Sequence, residues 1–361
     1  MIETEFVSDV ERDDLAEAWD EITGRGGCPG VFSSRPWVTS WASAFRDQYS
    51  PELALVSEDA APFGVVPLFR RRDGVVTTPV NFVSHRGEVI AIPGREGAAL
   101  AAALVESRRR GDRLLLRGLP HGSPTRLGVA GASSAAGYVT ATRRGRSSPV
   151  IDIRSDWDAY YASRPRKVTH EWERKIRKLE RAGEVSVRLH DDDPDALVDR
   201  FADVEDESWK DDVGTSIRGR GMEAFYRDVS RRLRDAGLLR AWSVALNGRM
   251  LAFLYGAELD GTYYALKTSF VKDAGSLSPG VRLFRDAVRD VFERGLRRFD
   301  FVGQPARWKD EWATGRLEHE DVALYPDDLA GRARAVLEGR VRPAARAMRD
   351  RLSGRSGNGS R

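Results

Sequence analysis

The sequence predicts an α/β (α+β) protein of two domains, each a mixed, mainly antiparallel sheet flanked by helices. Three observations predict it. The chain has 361 residues, too many for one ordinary domain at about 100–200 residues each. The second half reads as strand, helix, helix, three meandering strands, helix, strand, helix, strand. That order suits a mixed sheet, split where a parallel crossover follows the meander. Finally, Asn247-Gly248 and Asp260-Gly261 join the meander strands, and both dipeptides favour type I′ hairpin turns.

Composition removes several classes. Hydrophobic residues make up 41% and charged residues 31%, enough to fill a core and too apolar for whole-chain disorder. No run approaches the roughly 18 apolar residues of a membrane span, so no stable membrane insertion is expected. The opening Met1-Ile2-Glu3-Thr4-Glu5 is acidic and unlike a signal peptide. Cys28 is the one cysteine, which excludes an intramolecular disulfide. A cytoplasmic protein is expected. Net charge is only +3, but it is unevenly placed. Residues 164–181 hold eight Arg or Lys against three Glu, and residues 329–361 hold nine Arg against Glu338 and Asp350. Basic patches attract phosphates; a solvated helix face followed by a basic tail gives the same pattern.

The first half opens with a helical pattern around Leu15 and Trp19. A second follows Ser34-Arg35-Pro36, with Ser34 as N-cap and Trp37, Trp41 and Phe45 recurring every four residues. Strand-like runs occupy 53–56, 64–69 and 75–82. An Ala-rich helix over 97–109 leads into Leu114-Leu115-Leu116, and the Gly, Ala and Ser-rich stretch 128–137 reads as loop or weak helix. A connection at 143–149 marks the domain boundary.

In the second half, 171–181 is a basic helix ending at Gly183, and 185–189 alternates as a strand. Leu197, Phe201, Val204 and Ser208 share one helix face; Met222, Phe225, Val229 and Leu233 share another, stopped at Gly237. Strands follow at 239–246, 250–259 and 262–270. After Ser278-Pro279-Gly280 comes a helix with Val281, Phe284, Val288, Val291 and Phe292 on one face. A strand at 298–302, a short helix at 306–312 and a strand at 321–325 complete the order. The domains are therefore 1–148 and 149–327, with 328–361 a basic, partly helical tail carrying Ala333, Val336, Leu337, Val341 and Ala345.

The halves also echo one another. Pro93-Gly94, a helix, Gly111 and the strand within 112–120 match Pro279-Gly280, a helix, Gly295 and the strand within 296–305, at nearly equal intervals.

Several chemistries lack their motifs. His85, His121, His170, His190 and His319 show no metal-ligand spacing, and one cysteine makes no zinc site. No metal is expected. Nucleophile elbow, P-loop and dinucleotide fingerprint are missing too. What remains is the segment 276–282, at the start of a helix. Its free amides and positive dipole end would hold a phosphate or pyrophosphate. Gly280 lets a ligand approach, Ser278 can cap or donate, and Arg282 adds charge beside Pro279 and Val281. A plain helix entry has the same sequence. The second feature is 298–312. Asp300 faces away from Phe299 and Phe301, and a carboxylate at the end of a buried strand suits base work. Trp308 and Trp312 lie one turn apart with Lys309 beside them; two Trp anchoring a surface helix read the same way.

Four features, by order and spacing, resemble the CelD/BcsL-type (BioF2-like) acetyltransferases of the GNAT superfamily. They are the basic helix at 174–183, the segment 237–252, Leu277-Ser278-Pro279-Gly280, and Phe299-Asp300-Phe301-Val302-Gly303 with Trp308-Lys309-Asp310-Glu311-Trp312. Ser34-Arg35-Pro36-Trp37-Val38-Thr39-Ser40-Trp41 resembles the family's N-terminal segment. Gly303-Gln304-Pro305 departs from the pattern, where Gly is more often followed by a charged residue.

The resemblance implies two GNAT-like domains in tandem, as in the Fem aminoacyltransferases: a degenerate first domain and a catalytic second. Acetyl-CoA, or another acyl-CoA, would be the donor, with its pyrophosphate on the loop at Ser278–Arg282. The strand 262–270, with Lys267 and Ser269, would line the pantetheine arm. Asp300 and Glu207 are the candidate bases, Tyr264 the acid for the leaving thiolate, and Lys309 a contact for an acidic acceptor. Trp209, Trp308 and Trp312 would stack on the acceptor. The expected activity is acetyl transfer to an amino group of a sugar, amino acid or other small metabolite. The alternatives are a Fem-like enzyme taking its acyl group from aminoacyl-tRNA, or a non-catalytic GNAT-fold binding module. Nothing in the sequence sets the oligomeric state.

Overall fold

The computed structural model describes residues 1–341 and forms two compact units. The first unit takes residues 1–29, 45–146 and, among the described residues, 318–341; the second takes 30–44 and 147–317. The units are thus not two contiguous stretches divided at 148.

In chain order, the first unit begins with β1 (Ile2–Val7) and α1 (Asp13–Gly24). The helix α2 (Arg35–Ala44) belongs to the second unit. Back in the first unit are β2 (Tyr49–Pro51), β3 (Leu53–Glu58), β4 (Ala61–Val66), β5 (Phe69–Arg71), β6 (Val76–Thr77) and β7 (Ile90–Ala91). Then come α3 (Glu96–Arg109), β8 (Leu114–Pro120), α4 (Pro124–Ala135) and β9 (Tyr138–Asp152). The strands β1-β3-β4-β7 form an antiparallel sheet. The strand expected at 75–82 is only two residues long, because Pro79 has no amide to continue a ladder. The stretch expected as loop or weak helix is the helix α4: Ser123 Oγ accepts the Arg126 amide at 3.3 Å and Pro124 fills the first turn. Gly128 lets α4 lie against α3, since a Cβ there would stand 2.7 Å from the Gly97 Cα.

The second unit continues with α5 (Trp157–Ala162), α6 (Arg166–Glu180), β10 (Val185–His190), α7 (Pro194–Asp206), α8 (Trp209–Asp212) and α9 (Glu223–Asp235). The meander is β11 (Leu239–Leu246), β12 (Arg249–Leu259) and β13 (Thr262–Phe270). Its turns are those expected: Asn247 and Gly248 have φ of 49° and 81°, Asp260 and Gly261 of 46° and 64°. After α10 (Pro279–Glu293) come β14 (Arg298–Asp300) and α11 (Arg307–Trp312). Strand order in this unit is β10-β11-β12-β13-β14 and then residues 150–152 of β9. All pairs are antiparallel except β13–β14. The helix α2 packs on α9: the Trp37 and Phe225 rings meet edge to face at 5.6 Å, and Ser40 Oγ donates to Asp228 at 2.6 Å. That contact places 30–44 in this unit. On the other face α10 covers the sheet with Leu283, Phe284, Val288 and Val291, all buried.

The chain returns to the first unit through β15 (Gly315–Pro326) and α12 (Leu329–Val336). Here β15 pairs with β8, β8 with β6, β6 with β5 and β5 with β2. A wider helical turn, Leu337–Val341, follows, and Ala345 lies outside the described residues.

Candidate functional site

The site is built where β13 and β14 part. The parallel pairing covers only Thr262–Tyr264 of β13 against Arg298–Asp300; β13 then runs on to Phe270 without β14. The strand β14 stops because Val302 and Gly303 turn left-handed, with φ of 50° and 64°. Three hydrogen bonds hold that turn. Asp300 Oδ1 accepts the Val302 amide at 2.8 Å, while Lys309 Nζ donates to the carbonyls of Phe301 at 3.2 Å and Val302 at 2.6 Å. Burial lowers the Lys309 pKa to about 8; Asp300 and Asp310 work against the shift and Lys210 adds to it.

Along the rest of β13 the chain's own groups occupy the edge. The Val271 amide donates to the Leu251 carbonyl at 2.8 Å, so by antiparallel alternation Thr268, three residues back, turns its carbonyl away from β12. That carbonyl accepts Lys210 Nζ at 2.6 Å. The Lys272 amide, farther on, donates to the Glu207 carbonyl at 2.9 Å. Lys210 also donates to Glu205 Oε1 at 2.8 Å. Its pKa falls to about 8 through burial, with Lys267 assisting and Glu205 opposing. Burial likewise lowers the Lys267 pKa, opposed by Glu205.

At the N-terminus of α10, Ser278 is left-handed with φ 54° and its side chain does not cap the helix. The expectation that Ser278 caps therefore fails: in that conformation the hydroxyl makes no bond to the first turn. A Cβ at Gly280 would meet no atom within 4 Å, so the approach is open. Lys178 Nζ, from α6, donates to the Ser276 carbonyl at 2.8 Å and brings a cation to the loop. Arg282 is already engaged, with Glu180 at 2.6 Å and Asp286 at 2.7 Å.

The residues expected to act fall into three groups. Asp300, Tyr264, Lys309, Lys267 and Ser269 line the parting strands or the edge of β13. Asp300 is fully buried and Tyr264 nearly so, its hydroxyl 2.6 Å from where a Gly30 Cβ would stand. Ser278, Pro279, Gly280, Val281 and Arg282 open α10. Glu207 stands apart, exposed at the end of α7 and paired with Arg249. Of the tryptophans, Trp209 and Trp308 are exposed, and Trp308 packs beside Phe284 at 4.9 Å. Trp312 is 2% exposed and stacks on Trp172 at 3.6 Å. It is a core residue, which removes it from the surfaces that could stack on an acceptor. Sequence reasoning passed over Glu205 and Lys210. A signal existed: Trp209-Lys210-Asp211-Asp212 and Trp308-Lys309-Asp310-Glu311 are near copies of one motif. In both copies the Trp is exposed and the Lys tucks onto backbone carbonyls. Among the described residues no group of three or more His, Cys, Asp or Glu could hold a metal ion.

The model of the acetyltransferase (GNAT) domain family matches residues 166–310. That match lies within the second unit. Comparison with curated proteins gave no match. Among solved structures, FemX aligns with a TM-score of 0.63 at 12% identity, over 89% of this chain and 96% of its own. A conserved protein of unknown function from Bacteroides thetaiotaomicron gives 0.58 at 14% identity, over 90% of this chain and 100% of its own. The L-PGS structure from Bacillus licheniformis gives 0.56 at 11%, over 93% and 100%. At such identities the likeness is one of fold, and it extends well beyond the GNAT match into the first unit. The expected architecture, two units of mixed sheets flanked by helices, holds. Among the described residues no helix is long and apolar enough to cross a membrane.

Proposed function

We propose that this protein is an acyl-CoA-dependent N-acyltransferase of the CelD/BcsL (BioF2-like) kind, acting in the cytoplasm. It transfers an acetyl group to an amine on a sugar, amino acid or other small metabolite. One observation carries this: beyond Tyr264, β13 parts from β14 and leads to the open, cation-flanked N-terminus of α10. A thioester donor fits that path, with its pyrophosphate on the helix amides near Gly280.

The chemistry needs a neutral amine at the thioester carbonyl. The C–N bond forms, the C–S bond breaks, and one amine proton ends on the sulfur. Lys309 carries that proton. A neutral lysine has two N–H donors and one lone pair. The Phe301 and Val302 carbonyls take both donors, which leaves the lone pair for the substrate. With a pKa lowered to about 8, about a tenth of the lysine is neutral at pH 7 and about half at pH 8, which supplies the free base that general-base catalysis requires. The lysine takes a proton from the amine nitrogen as the C–N bond forms and returns it to the leaving sulfur. Asp300 and Tyr264 are too buried to meet a substrate directly; Asp300 positions Lys309 by holding the Val302 turn.

The test is isothermal titration with acetyl-CoA and free CoA, on the wild type and on Gly280→Glu. Binding by the wild type that is lost in the variant, with its fold retained, supports CoA dependence; no binding by the wild type overturns it.

One observation favours a second donor. The Thr268 carbonyl and Lys272 amide, where a pantetheine arm would run, are already bonded to Lys210 and to the Glu207 carbonyl. An aminoacyl-tRNA, with an ester and no pantetheine, needs no such edge. Titration with charged tRNA decides between the donors.

A further inference from the structure

Beside Lys309 stands a polar cluster that acyl transfer, as derived above, does not use. Glu205 is 0% exposed. Its Oε1 accepts Lys210 at 2.8 Å; its Oε2 accepts the Ile217 amide at 2.8 Å and lies 3.1 Å from Lys267 Nζ. Two ammonium groups thus share one carboxylate, and the surroundings add positive charge. Arg220 opposes the charge on Lys267, and Lys210 opposes that on Lys309. The Tyr226 ring of α9 lies 5.4 Å from Lys267 Nζ. Charge of one sign left in excess inside a protein is costly unless a counter-charge arrives.

The cluster is open to such a counter-charge. Lys210 and Lys267 keep 16% and 14% of their side-chain surface, while Glu205 forms the floor. Ser269 follows Lys267 by two residues on β13 and so shares its face. It is 4% exposed, and its buried Oγ has no hydrogen-bond partner, which is rare in folded proteins. The unused donors are one N–H of Lys210, the remaining N–H groups of Lys267, and the Ser269 hydroxyl, which can also accept.

We propose that Lys210, Lys267 and Ser269, on a floor of Glu205, form an anion site that receives the carboxylate or phosphate of the acyl acceptor. The acceptor is then an amine that also bears an acidic group, its anion held here and its amine presented to Lys309. Calling the ligand the acceptor rests on the acyl-transfer proposal; the anion site itself does not.

The test is isothermal titration of the full chain at pH 7 with inorganic phosphate and, separately, with acetate. The variants are Lys267→Met, Ser269→Ala and, as a surface control, Arg289→Met. Saturable binding of at least one anion is expected, about tenfold weaker or more in Lys267→Met, severalfold weaker in Ser269→Ala, and unchanged in the control. The anion bound more tightly tells phosphate from carboxylate. Ser269→Ala removes one atom from a strand side chain, so the proposal stays testable if Lys267→Met fails to fold. Failure of both anions to saturate overturns the site, and so does binding that survives every folded variant unchanged. Phosphate binding without acetyl-CoA binding would leave this site standing and remove the CoA donor; the reverse would do the opposite.

Discussion

Lys309 donates to the Val302 carbonyl at 2.6 Å, and Val302 itself is held left-handed at φ 50°. A β-branched residue resists that conformation, at roughly 1–3 kcal/mol. The turn persists because Asp300 holds its amide and Lys309 its carbonyls. The strain, the end of β14 and the orientation of the lysine are therefore one feature.

If Lys309 is the base, it must be neutral to act. The transfer rate should rise with pH and level off above about 8, the value to which burial lowers this lysine. Lys309→Met should lose about 100-fold or more in kcat. Lys309→Arg, always charged, should do no better. A pH–rate profile of wild type and both variants checks this, and an active Arg variant would remove the lysine from proton transfer.

Glu205 and Glu207 lie two residues apart with opposite surroundings. Glu205 faces two lysines in the interior, so Glu205→Gln leaves both ammonium groups without their counter-charge. It should destabilise the protein by about 3–5 kcal/mol. Glu207 is exposed and pairs with Arg249 on the surface; Glu207→Gln should change stability by about 0.5 kcal/mol or less. Urea denaturation of the two variants side by side makes the comparison. Equal losses would mean that Glu205 is not the keystone of the buried cluster.

Much of this was legible in the sequence, for physical reasons. Period-two runs and the two hairpin dipeptides set the meander, and the apolar stripe from Phe284 to Phe292 set α10. The position of Glu205 was also readable, one turn after Phe201 on the buried face of α7, yet a carboxylate on an apolar stripe breaks the pattern that identifies such a face. Three things were not local. Residues 30–44 join the second unit through Trp37 and Phe225, a pairing across nearly two hundred positions that no window reveals. The hydroxyl of Ser278 fails to cap because its own backbone is left-handed. Trp308 and Trp312 have equivalent spacing, and only the arrival of Trp172 separates the buried one from the exposed one.

Those two tryptophans should therefore behave differently. Trp312→Ala removes a buried, stacked ring and should destabilise by about 3–5 kcal/mol. Trp308→Ala, on the surface beside Phe284, should cost far less and act on ligand binding instead. Thermal denaturation together with the titrations above separates the two effects. Loss of stability in Trp308→Ala as large as in Trp312→Ala would contradict the assignment.

The first unit carries its own titrating group. Glu88 is 5% exposed, and burial raises its pKa to about 7, against a hydrogen bond from Ser123 and the nearby Arg86. In the unfolded chain this carboxyl titrates near the ordinary value of 4.5. Between the two values the folded state holds more protons than the unfolded state, so folding stability falls as pH rises through this window. The full contribution is present below pH 4.5 and lost above about 7, a difference of roughly 3 kcal/mol. Glu88→Gln, neutral at every pH, should flatten that part of the stability–pH curve and make the protein more stable than wild type at pH 8. Urea midpoints at pH 5, 6, 7 and 8 for both proteins measure it. A wild-type curve with the same slope as the variant would show that Glu88 keeps its charge in the folded state, with Arg86 as the obvious counter-ion.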